Sequence, residues 1–111
     1  MILLYLTLAM IIIHLIGSII SFLKRTFPRS IGNFVAFYEM VFYIIVAVFY
    51  SHIILPLLVI LYFYLVVHIA GGILYIIGYL GKLYSTERIK YYGIYEAFEM
   101  LYLLVLFVSM I

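Results

Sequence analysis

Five side chains could do chemistry in apolar surroundings: His14, Glu39, His68, Glu96 and Glu99. Imidazoles and carboxyl groups bind and release protons, so acids and histidines at similar depths suit a proton path or an ion-coupled site. The plainer role for each is a hydrogen bond that ties helices together. That role suits Glu96 best, because Arg88 and Lys90 precede it closely and could pair with it. No Walker motif, GxGxxG, HExxH or Ser/His/Asp set is present. Cys is absent, which excludes thiolate chemistry, disulfides and Cys-ligated metals. The sequence provides no metal site and nothing that would run a reaction alone.

The elements that position these groups follow from composition. The chain has 111 residues, 71% hydrophobic and 9% charged, whereas a soluble domain carries about 25% charged residues. This is the composition of an all-α integral membrane protein. A soluble enzyme is excluded, and nucleic-acid binding with it, since six Lys+Arg form no basic patch on such a surface.

A bilayer core needs about 20 apolar helical residues. The charges divide the chain into runs at about 1–23, 31–51, 53–81 and 91–111, which predicts four transmembrane helices in one membrane domain, 1–111. The stretch 31–81 turns at Ser51-His52, ahead of Pro56, because proline suits the first turn of a helix. With four spans, Lys24, Arg25, Arg29, Lys82, Arg88 and Lys90 fall on one side. The positive-inside rule makes that the inner side and puts both termini outside. Three spans would divide the basic residues between sides. The first run has no basic segment before it and no small-residue cleavage site after it, so it reads as a retained helix rather than a signal peptide.

On the helix rise, Glu39 lies about 9 Å, Glu99 about 12 Å and His14 about 13 Å from the basic edge, with His68 near the midplane. An ionised carboxylate at mid-membrane costs about 2.5–3.5 kcal/mol, so these acids need partners, water or a proton. His14, Glu39, His68 and Glu99 are therefore the proton-path candidates. Gly17, Gly71 and Gly72 are helix-packing candidates. His14-x-x-Gly17 recurs as His68-x-x-Gly71, and Ala36-Phe37-Tyr38-Glu39-Met40 recurs as Ala97-Phe98-Glu99-Met100, with offsets of 54 and 60. A duplication with an insertion would produce that pattern.

Residues 1–80 resemble the small three-helix subunit 4L of NADH dehydrogenase, respiratory complex I. The similar features are the opening Met1-Ile2-Leu3-Leu4-Tyr5, Leu15-Ile16-Gly17 late in the first helix, and Arg29 followed after nine residues by Glu39-Met40. The resemblance implies that Glu39 belongs to a lateral proton path beside the quinone site. It implies other membrane subunits and the lipid bilayer as partners, with quinone nearby. The implied location is the mitochondrial inner membrane or a prokaryotic plasma membrane. Any enzyme activity would be that of the whole NADH:quinone oxidoreductase, and this chain itself would bind no cofactor. The chain departs from the family in its longer first loop, its extra fourth span, and His68-Ile69-Ala70-Gly71-Gly72 where the family has a second glutamate. Glu99 would have to replace that acid.

Two alternatives stand beside this one. His68, with Gly72-Ile73 and Leu80-Gly81-Lys82, is similar to the haem-ligand helix of the cytochrome b anchor of succinate dehydrogenase, which would make His68 a haem b ligand. That family's Ser-x-x-His-Arg is missing, since Leu15 follows His14. The other alternative is a structural, accessory or viral membrane protein with no chemistry.

Overall fold

Four apolar runs become four helices in the computed structural model, which describes residues 2–23, 25, 27–50, 52–78 and 89–111. They are α1 (Ile2–Phe22), α2 (Arg29–Phe49), α3 (Leu55–Ile76) and α4 (Ile89–Met110), with no strand among the described residues. Each has 21 or 22 residues, a length of about 32 Å. All four are long and apolar enough to cross a membrane. Large apolar side chains such as Phe34, Val59, Val66, Phe98 and Val108 point outward, a surface suited to lipid rather than water.

The helix ends follow local chemistry. Pro56 sits in the first turn of α3 behind the extended N-cap Ile54, and Leu58 N–H donates to the Ile54 carbonyl at 3.0 Å. The turn runs through His52, where the Ser51-His52 reading put it. The sequence carries α3 to residue 81, but the helix stops at Ile76. Gly78 then takes φ 85, a left-handed conformation that glycine accepts without strain. Arg29 and Ile89 begin α2 and α4 two residues earlier than expected. Lys24, Ser51 and residues 79–88, with Lys82 and Arg88, lie outside the described residues, as does the side chain of Lys90.

The chain divides into two compact units, Met1–Arg29 with Lys82–Ile111, and Ser30–Gly81. In the first, α1 and α4 pack antiparallel: Thr7 lies by Met110, His14 by Glu99 and Ser18 by Gly93. The N-terminal end of α1 and the C-terminal end of α4 thus share one end of this unit. In the second, α2 and α3 form an antiparallel hairpin in which Gly32 meets Tyr75, Glu39 meets His68 and Tyr43 meets Tyr64.

The buried face of α1 is its polar one. Thr7, Met10, His14, Gly17, Ser18 and Ser21 recur every three or four residues, one stripe of a helix. Thr7 Oγ1 donates to the Leu3 carbonyl at 2.7 Å, and Ser18 Oγ donates to the Gly93 carbonyl at 3.0 Å. These polar groups are thus turned inward, and large apolar side chains are left on the outer faces.

Candidate functional site

Each unit carries a buried histidine facing a carboxylate across its helix pair. In the α2–α3 hairpin, His68 Nε2 lies 3.0 Å from Glu39 Oε2. In the α1–α4 unit, His14 Nε2 contacts Glu99 Oε2 and lies 3.3 Å from Glu96 Oε2. His14 and Glu99 are fully buried, and Glu39, His68 and Glu96 are each less than a tenth exposed.

The other ring nitrogen decides the chemistry. His14 Nδ1 lies 2.9 Å from the Met10 carbonyl, and His68 Nδ1 lies 2.8 Å from the Tyr64 carbonyl. A carbonyl only accepts, so Nδ1 must carry the hydrogen. In a neutral ring, Nε2 then presents a lone pair to a carboxylate oxygen that also has only lone pairs. The contact is attractive only with a proton between them, held as imidazolium and carboxylate or as imidazole and carboxylic acid. Each histidine–acid contact is therefore arranged so that one hydrogen could sit on N or on O.

The surroundings differ between units. The His68 ring lies 4.8 Å from the Tyr43 ring, which stacks on Tyr64 at 6.0 Å. Phe42 and Phe63 extend this aromatic set by edge contacts. In the α1–α4 unit, Met10 and Leu103 are buried near His14 and Glu99 in sequence.

The four proton-path candidates named from sequence are joined in pairs: Glu39 with His68, and His14 with Glu99. Glu96 faces His14; its expected partners, Arg88 and the Lys90 side chain, lie outside the described residues. Glu96 lies two helical turns past Ile89. Among the glycine candidates, a Cβ on Gly72 would meet Met40 Sδ at 2.9 Å, and one on Gly17 would stand 3.6 Å from Glu96 Oε2. A Cβ on Gly71 would meet nothing within 4 Å. Gly32 and Gly93 were not singled out, yet both lie at close helix contacts. Tyr75 occupies the space a side chain on Gly32 would need, and a Cβ on Gly93 would meet Ser21 Cβ at 3.1 Å.

The repeat is visible at the buried positions. At the 54 offset, Thr7, Met10, His14 and Ser18 correspond to Leu61, Tyr64, His68 and Gly72, and all eight are buried. At the 60 offset, Glu39, Phe42, Tyr43 and Val46 correspond to Glu99, Tyr102, Leu103 and Leu106, again all buried. The linkers 23–28 and 77–88 differ by six residues, the same as the difference between the offsets. Each histidine faces the acid of the other repeat.

Comparison with protein-family models, curated proteins and solved structures finds no match to this chain. Among the described residues, fold and site thus define a class: a helical protein with four helices fit to cross a membrane and buried histidine–carboxylate contacts.

Proposed function

We propose that this chain is a small membrane subunit that holds and passes protons through buried histidine–carboxylate pairs. The observation that carries this reading is the anchored Nδ1 of both histidines, which leaves each Nε2 sharing a proton with an acid. Buried acids inside a membrane are costly and mark proton paths. On this reading the basic linkers face inside and both termini outside, and the resemblance to subunit 4L favours a mitochondrial inner or prokaryotic plasma membrane. The resemblance of residues 1–80 to subunit 4L supports a complex-I-like respiratory assembly, with Glu39 in its lateral proton path beside the quinone site.

Haem ligation by His68 is less well supported, because it would require Nε2 to leave Glu39 and would strand a buried acid. A purely structural role has its own observation in the close helix approaches at Gly32, Gly72 and Gly93.

Mild-detergent extraction, native-gel separation and mass spectrometry of the band test the assembly. Iron–sulfur and antiporter-like partners support the respiratory reading, and their absence removes it. In the isolated assembly, Glu39→Gln should cut proton-coupled turnover about tenfold or more with assembly unchanged. Unchanged turnover leaves the structural role.

A further inference from the structure

Glu96 is the one acid at the sites that the repeat does not duplicate. At the 60 offset its counterpart is Ala36, so the α2–α3 hairpin sets one carboxyl group against its histidine and the α1–α4 unit sets two. Both acids of that unit address the same atom, His14 Nε2. Glu96 and Glu99 stand three residues apart on α4, on one helix face and about 4.5 Å apart along the axis.

The glycines repeat the contrast. Gly17 and Gly71 correspond at the 54 offset. The Glu96 carboxylate lies against Gly17, whereas Gly71 has open space. Gly17 thus houses the additional acid, and its duplicate has nothing to house.

We propose that Glu96, His14 and Glu99 form a three-member proton relay along α4, with Glu96 as a second acceptor for the His14 proton. This rests on the proton-carrying reading above. Glu99 gives its carboxyl proton to His14 Nε2, so one O–H bond breaks and one N–H bond forms. His14 Nε2 then gives that proton to Glu96 Oε2 and recovers its lone pair. Nδ1–H stays with the Met10 carbonyl throughout, so the ring needs no flip. No electron is transferred. The 3.3 Å separation from Glu96 is at the outer edge of hydrogen-bond reach, so transfer follows a closing movement of a few tenths of an ångström. Buried Met10, a flexible side chain, stands where the other unit has Tyr64. The other titratable side chains within a turn of these acids are Tyr92, Tyr95 and Tyr102 on α4. On α1 there are none within a turn of His14.

The test is a pH titration of the carboxylic C=O stretch by infrared difference spectroscopy, on the full chain in phosphatidylcholine vesicles. Groups that share one proton acceptor titrate as a coupled set. Glu96→Gln should remove its own signal and move the Glu99 midpoint by about one pH unit or more, a tenfold change in proton affinity. Glu99→Gln should move the Glu96 midpoint likewise. A Glu99 midpoint that stays in place in Glu96→Gln overturns the relay and leaves the pairs intact. A wild-type chain in which no carboxyl signal titrates overturns the proton-carrying reading itself. Should Glu96→Gln fail to fold, Ala36→Glu tests the same geometry in the other unit. A new carboxyl signal coupled to Glu39 supports the relay, and an uncoupled one overturns it.

Discussion

The two units share one plan with different side chains around it. In the α2–α3 hairpin, His68 is held on three sides, by the Tyr64 carbonyl, the Glu39 carboxylate and the Tyr43 ring. In the α1–α4 unit, His14 keeps the backbone anchor but faces two acids, and aliphatic Met10 and Leu103 stand at the positions of Tyr64 and Tyr43. A ring clamped against one acid can store a proton. A ring between two acids has somewhere to send it. On this proposal one unit is a store and the other a relay, and the difference lies in Glu96 against Ala36.

The largest effect that bears on this contrast is loss of a histidine. His14→Ala leaves two buried acids without their imidazole and should cost about 3–5 kcal/mol. His68→Ala leaves one acid and should cost less. Unfolding midpoints in one detergent compare them, and an equal or larger loss for His68→Ala would break the contrast. Next comes Gly32→Leu, which collides with Tyr75 and should cost about 1–3 kcal/mol by overpacking. Native-gel migration and the unfolding midpoint read this directly. The smallest effects sharpen the glycine comparison. Gly71→Ala enters open space and should be neutral or stabilising by up to about 1 kcal/mol. Gly17→Ala places its methyl in ordinary contact with the Glu96 carboxylate, and should stay within about 0.5 kcal/mol in stability. The relay and Glu39 experiments above complete the set.

Much of this was legible in the sequence. Charge breaks in an apolar chain located four helices, because charge is costly inside a bilayer. His14, Glu39, His68 and Glu99 stood out because polar groups in apolar runs must be satisfied. Their pairing was not legible, since periodicity reports a buried face and not the helix it meets. The contact of Glu96 with His14 was not legible either, because it depends on α1 and α4 being neighbours. Gly32 and Gly93 sit near helix starts, where a glycine reads as local punctuation. Their reason is a partner side chain distant in sequence.

The pairing of α1 with α4 also has a consequence for the order of assembly. At a synthesis rate of about 5–20 residues per second, His68 is made roughly 1.5–6 s after Glu39, whereas Glu99 follows His14 by roughly 4–17 s. The central hairpin can close while the ribosome is still working. The His14 contact with Glu99, by contrast, forms only once the last helix has been made.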